Sequence, residues 1–143
     1  MVEDNCLFCR IVSGEVPATL VYADENAVAF LDHRPLFHGH TLLVPRQHVE
    51  TLVDLPSPLV GPFFEAAQSL ARAVPHAMKA EGTFVAMNNR VSQSVPHLHV
   101  HVVPRRKKDG LKGFFWPRTK YKDEEEMEVV ARKIAASLQE LTR

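Results

Sequence analysis

"HLHVHVV", residues 97–103, places three of the chain's eight histidines at every second position, with an aliphatic residue in each gap. Successive side chains of a β-strand point to opposite faces, so a period of two sorts the segment into two surfaces. His97, His99 and His101 fall on one face, and Leu98, Val100 and Val102 on the other, where a core can take them. A helix would scatter the imidazoles around its circumference. The spacing therefore predicts a strand over 97–103 with a row of imidazoles along one side.

Outward from that strand, the polar loop 88–95 joins it to a fourth strand over 83–87. Residues 19–22 and 27–31 are short β-prone runs separated by Ala-Asp-Glu-Asn, which suggests a hairpin. A third strand covers 41–44 and stops at Pro45. A short helix over 8–13 ends at Gly14, and Ser57-Pro58 offer an N-cap and first helical position for a long helix toward Ala80. Pro75 removes a helical hydrogen bond, so a kink or break is expected there. A last helix starts near Asp123, with Glu126 as capping-box partner and an apolar stripe of Met127, Val130, Ile134, Leu138 and Leu141. Five strands, two main helices and few βαβ alternations predict an α+β fold built on a five-stranded antiparallel sheet. No repeat or linker interrupts the chain, so a single domain is expected over 1–143. Its C-terminal segment, 106–143, holds a loop and the final helix.

A hydrophobic share of 45% and a charged share of 24% fit a soluble globular chain and argue against disorder. The formal net charge is zero, so no global field attracts nucleic acid or an anionic membrane. Apolar runs fall far short of the roughly 20 residues that span a bilayer. The start, Met-Val-Glu-Asp-Asn, is acidic and polar, the opposite of a secretory leader, and two cysteines cannot build a disulfide framework. A reducing, cytoplasmic location is the expectation.

One histidine on a strand is more often a satisfied polar residue than a catalyst. Three in alternation are harder to dismiss, because burying an imidazole is unfavourable unless it finds a partner. A single metal held by all three is disfavoured: His97 and His101 start roughly 13 Å apart along a strand, whereas zinc–nitrogen bonds are about 2.0–2.1 Å. Nucleophilic attack on phosphorus suits the pattern better. A neutral imidazole can attack if its other nitrogen is held as a donor, and neighbouring imidazoles can bind the charged oxygens. Ser92, Gln93 and Ser94 place further donors just upstream.

These residues carry a resemblance. "QSVPHLHVHVVPR", residues 93–105, resembles the signature of the histidine triad (HIT) superfamily, and "FLDHRPLFHGHTLLVPRQH", residues 30–48, resembles its upstream block. "CLFCRIVSGEVPATLVYADENAVAFLD", which begins at Cys6, is similar to the N-terminal block of the zinc-containing bacterial members. The resemblance implies a nucleotidyl hydrolase or transferase acting through a covalent nucleotidyl-histidine, with a purine nucleotide as substrate. It implies His99 as nucleophile, His101 as phosphate ligand and proton donor, and His40 as support from the neighbouring strand. It further implies Gln93 and Ser94 at the phosphate or leaving group and Asp32 at the ribose hydroxyls. Phe8, Ile11, Phe30 and Leu42 would form the base pocket, although apolar residues there would serve equally as core. Two departures stand out. The glycine-rich stretch common before Gln-Ser-Val is replaced by "NNRVS", leaving Asn88 or Asn89 as the sugar-phosphate asparagine, and His33 stands beside Asp32 where relatives are often apolar.

Cys6-Leu-Phe-Cys9 is open to three readings from the residues alone: a redox pair, two unlinked buried thiols, or half a zinc site. The resemblance implies the last, a structural Cys2His2 zinc site completed by His48 and His97. It also implies a homodimer whose protomers share the helix over 57–80. A nucleotide-binding regulatory module with vestigial catalysis is the alternative to an enzyme, and a zinc-dependent scaffold is a third reading. Finally, "GFFWPR", residues 113–118, follows a basic run of Arg105, Arg106, Lys107, Lys108 and Lys112. Two readings stand there: a solvated basic loop with Phe114, Phe115 and Trp116 packed onto the core, or Trp116 flanking the leaving group with Arg105 or Lys107 adding charge for extended phosphate chains.

Overall fold

The computed structural model describes residues 3–111 and 118–141. The chain packs as two units, Met1–Asp109 and Gly110–Arg143. In the first unit, strands β1 (Leu20–Ala23), β2 (Ala27–Leu31), β3 (Thr41–Pro45), β4 (Gly82–Ala86) and β5 (Val100–Arg105) form one antiparallel sheet in the order β1-β2-β3-β5-β4. The expected α+β class and five-stranded sheet are what the structure has. Helix α1 (Leu7–Val12) precedes the sheet, and the long helix α2 (Ser57–Met78) connects β3 to the edge strand β4.

Alternation along each strand makes the sheet the middle layer of three. Ala27 and Ala29 of β2, Leu43 of β3 and Val100 and Val102 of β5 pack with Phe63, Ala66, Ala67, Leu70 and Val74 of α2. The intervening residues, Val28, Phe30, Leu42 and Val44, form a second cluster with Phe8 and Cys9 of α1. Because both faces of β2 and β3 are covered, those strands read as nearly continuous apolar runs rather than alternating ones. On β5, Val100 and Val102 take the α2 side, which turns the imidazoles toward the α1 side.

The fifth strand differs from the expectation over 97–103. It starts only at Val100, and His97 and His99 lie in the segment before it. The reason is hydrogen bonding. The ladder with β3 pairs Leu43 with Val100, and the next acceptor available, the Pro45 carbonyl, is taken by the His97 side chain at 2.8 Å. The Leu98 N–H turns instead to the Val49 carbonyl at 2.7 Å. One side-chain bond and one backbone bond outside the sheet replace the ladder where the histidines begin.

Three further expectations are corrected. Helix α2 is not broken at Pro75; it continues to Met78, closed by Lys79 in the left-handed conformation and an Ala80 N–H bond to the Pro75 carbonyl. Pro75 sits in the last turn beside buried Val74, so packing outweighs the one lost hydrogen bond. Its N-cap is Pro56, with Ser57 already helical. In the second unit, α3 covers Glu124–Leu141. Asp123 Oδ1 accepts the Glu126 N–H at 2.8 Å as a cap should, but Glu126 reaches the Lys122 N–H rather than completing the box on Asp123. Among the described residues, no helix is long and apolar enough to cross a membrane.

Candidate active site and metal centre

On the α1 side of the sheet a cleft of about 290 Å³ is lined by Phe8, Ile11, Phe30, Leu42, Asp32, His33, Ser94, His99 and His101, together with Leu7, Val16, Pro17, Ala18, Leu31 and Val95. The apolar end is built by edge-on rings: Phe8 meets Phe30 at 5.4 Å and His99 at 5.1 Å between centroids. The polar end carries His99 and His101, whose ring centroids are 5.0 Å apart.

Hydrogen bonds assign the ring nitrogens. His99 Nδ1 lies 2.8 Å from the His97 carbonyl, which can only accept, so Nδ1 carries the proton and the lone pair is on Nε2. His40 Nδ1 accepts the Leu36 N–H at 3.1 Å, so its proton is on Nε2 and is donated to His101 Nδ1 at 2.9 Å. His101 must then carry its own proton on Nε2. The result is a nucleophilic nitrogen on His99 next to a donor N–H on His101. Burial, with the neighbouring His99 and His40, depresses the His101 pKa to about 4, which keeps the donor neutral. His40 is lowered by its burial, and Asp32, whose Oδ2 is 3.7 Å from His40 Nε2, opposes that shift.

His97 uses its ring the other way round. Its Nε2–H is tied to the Pro45 carbonyl at 2.8 Å, leaving the Nδ1 lone pair 3.4 Å from Cys6 Sγ and 3.5 Å from Cys9 Sγ. His48 Nδ1 lies 3.3 Å from Cys9 Sγ. The four donor atoms are all within 4.8 Å of one another. Zinc with bonds of about 2.3 Å to sulfur and 2.0–2.1 Å to nitrogen requires sulfur–nitrogen edges of about 3.6 Å in a tetrahedron, so the set fits that ion. Burial is the main cause that pushes the Cys9 thiol up and lowers the His97 pKa to about 4. The histidine is thus held in its ligating, neutral form.

The remaining expected residues fall outside the cleft lining. Asn89 Oδ1 accepts the Leu52 N–H at 2.9 Å, and Asn88 Nδ2 donates to the Ser92 carbonyl at 3.1 Å. Gln93 donates to the Glu50 carbonyl at 2.6 Å and accepts the Arg90 N–H at 2.8 Å. These bonds hold a loop in which Arg90 and Ser92 adopt φ of 72° and 60°, a conformation that favours glycine. The basic run is largely engaged within its own neighbourhood: Arg105 bonds Asp109 at 2.6 and 3.1 Å, and Lys107 Nζ lies 3.8 Å from Glu81. Trp116 and the rest of the 112–117 stretch lie outside the described residues. What sequence reasoning missed are backbone partners, the carbonyls of Pro45 and His97 and the Leu36 N–H, which set every tautomer. Backbone groups carry no residue-type signal.

Comparison with known proteins gives a consistent result. A model of the HIT domain matches residues 13–108. The chain is 34% identical over 141 residues to the Bacillus subtilis protein named hit, covering 94% of this chain and 97% of the relative. It is 34% identical over 113 residues to an adenosine 5′-monophosphoramidase of Saccharomyces cerevisiae, covering 77% of this chain and 69% of that one. Identity to an adenylylsulfatase of Arabidopsis thaliana is 31% over 112 residues, covering 77% of this chain and 57% of that one. Among solved structures, a Streptococcus mutans protein superposes with a TM-score of 0.85 at 34% identity, covering 95% of this chain and 87% of the other. A zinc-bound histidine triad family protein from Mycobacterium smegmatis does so with a TM-score of 0.71 at 38% identity, covering 95% and 96%.

Proposed function

The chain belongs to the histidine triad (HIT) family, and on that premise we propose that it is a nucleotidyl hydrolase or transferase using His99 as nucleophile. Its substrates are nucleoside phosphoramidates, dinucleoside polyphosphates or related conjugates of purine nucleotides. The observation that carries the reading is the His99 tautomer: Nδ1–H is fixed on a backbone carbonyl at 2.8 Å, leaving Nε2 unprotonated on a side chain that lines the cleft. Attack by Nε2 forms a phosphorus–nitrogen bond as the bond to the leaving group breaks. The ring becomes cationic, and its Nδ1–H stays on the His97 carbonyl. His101 Nε2–H, oriented by His40, donates to the phosphate or the departing group, and Ser94 offers a hydroxyl in the same cleft. Water then displaces His99 from phosphorus, the proton it loses passes to the departed group or solvent, and the lone pair returns to Nε2.

Asp32 holds ribose hydroxyls through Oδ2, since Oδ1 already accepts the Arg34 N–H at 2.9 Å. His33 stands beside it, and Phe8, Ile11, Phe30 and Leu42 take the base. Asn88, Asn89 and Gln93 act by holding the loop that carries Ser94. The Cys6, Cys9, His48 and His97 set holds zinc, which supplies a structural cross-link between α1 and the triad segment. The relatives named as a phosphoramidase and an adenylylsulfatase support conjugates of this kind. The working unit is a cytoplasmic homodimer of single-domain protomers, tested by light scattering at micromolar concentration. The decisive experiment incubates the protein with labelled adenosine phosphoramidate, adenylyl sulfate and a dinucleoside polyphosphate. Quenching should trap a nucleotidyl adduct that peptide mapping assigns to His99, and turnover without any such adduct would overturn the mechanism.

A further inference from the structure

The two sulfurs of the metal centre are also the best-placed oxidisable pair among the described residues. Cys6 caps α1 and accepts the Cys9 backbone N–H through its sulfur at 3.4 Å, and the two sulfurs lie within 4.8 Å of one another. No disulfide joins them. Both residues are buried, but Cys6 helps line an open cavity of about 380 Å³ together with Glu3, His48 and Glu50, and Cys9 does not. A small oxidant therefore has a route to Cys6, and a second sulfur waits behind it. The spacing of a first helical turn, about 5–6 Å between Cβ atoms, is closed to a disulfide's roughly 3.5–4.5 Å by small rotations at the helix start.

We infer that Cys6 and Cys9 form a peroxide-sensitive modification site whose oxidation expels the metal and loosens the triad segment. This rests on the zinc reading above. Hydrogen peroxide takes two electrons from the Cys6 thiolate, giving a sulfenic acid and hydroxide. Cys9 sulfur attacks that sulfenic sulfur, the sulfur–oxygen bond breaks, and hydroxide leaves. With two protons from solvent, the sum is one disulfide, two waters and one free zinc ion, because disulfide sulfurs no longer supply thiolate ligands. The consequence reaches the reaction centre through His97. Its ring loses both sulfur partners, and its carbonyl is the group that fixes His99 Nδ1.

The test titrates the zinc-loaded protein with hydrogen peroxide while following free zinc with a chromogenic chelator, intact mass, and thermal melting. Expected are release of about one zinc per chain, a product lighter than the metal-free reduced chain by two hydrogen masses, and a lower Tm. Dithiothreitol with added zinc should reverse all three. Zinc retained while oxygen adds elsewhere, or Cys6 carried to a sulfinic acid with no disulfide, would overturn the inference. A reduced preparation that binds no zinc at all defeats the metal reading instead, and mass alone then decides disulfide formation.

Discussion

Two clusters of imidazoles sit two residues apart on one stretch of chain, and they are wired in opposite senses. At His97 the backbone takes Nε2–H and the free Nδ1 faces two buried sulfurs. At His99 the backbone takes Nδ1–H, and the ring lines a cleft open to solvent. The first arrangement is a closed ligand set, and the second leaves a lone pair exposed to a reactant. Identical side chains therefore acquire different chemistry from the choice of which nitrogen a carbonyl occupies. The His97 carbonyl links the two, since it belongs to one cluster and orients the other.

The comparison breaks most sharply at His99. His99→Ala should lower turnover at least about 100-fold, because nucleophilicity itself is lost, while His99→Gly still binds nucleotide by calorimetry. Retention of more than a few per cent of activity in His99→Ala would remove it as nucleophile.

Stripping the metal tests the closed cluster. Chelation should lower Tm by roughly 10 °C or more, since a metal that binds only the folded chain adds its binding free energy to stability. The chemical step, followed in single-turnover assays before unfolding, should slow by less than about tenfold. A metal-free preparation with unchanged Tm would sink the structural-zinc reading.

Acid acts on both clusters, because burial lowers His97 and His101 alike to about 4, and a substitution at His101 isolates the cleft's share. His101 has a folded pKa of about 4 against 6.5 for a free histidine. The unfolded chain therefore binds the proton first as pH falls. The stability contributed by keeping this ring neutral is complete above pH 6.5 and is lost progressively down to about 4, up to about 3 kcal/mol. Melting curves between pH 7 and 4.5 should show a steeper loss for the wild type than for His101→Asn. Equal slopes would assign the acid sensitivity elsewhere.

The smallest effect concerns the support of His40. Gly39 has φ of +97°, and a Cβ there would lie 2.6 Å from Met78 Cγ. Gly39→Ala should destabilise by about 1–3 kcal/mol and disturb His40 more than the metal cluster, seen as reduced turnover with zinc content unchanged. A neutral effect on both would mean that the turn relaxes away from α2.

Much of the fold was legible in the chain because it rests on local rules. Alternation marked β5's buried face, and the hairpin, the third strand and the last helix fall within a residue or two of their expected bounds. Helix α2 is not broken at Pro75 because a helix end packed by buried Val74 tolerates a missing donor that an isolated helix would not. Within the candidate site, the alternating histidines pointed to the triad directly, whereas the Cys6, Cys9, His48 and His97 set was reached only through the family resemblance. Asn88, Asn89 and Gln93 were less transparent. An amide side chain serves a phosphate or a backbone carbonyl equally well, and here each is engaged within or beside the loop.

What the sequence determined by itself is the alternation of imidazole and aliphatic side chains, and with it which residues could face a core and which a reactant. Tertiary structure decided which nitrogen carries the proton on His97 and His101. β3 and the chain just before it bring the Pro45 carbonyl to His97 and His40 to His101, whereas the Leu36 N–H and the His97 carbonyl are local partners of His40 and His99. A hydrogen bond across dozens of residues depends on backbone positions that no local pattern encodes.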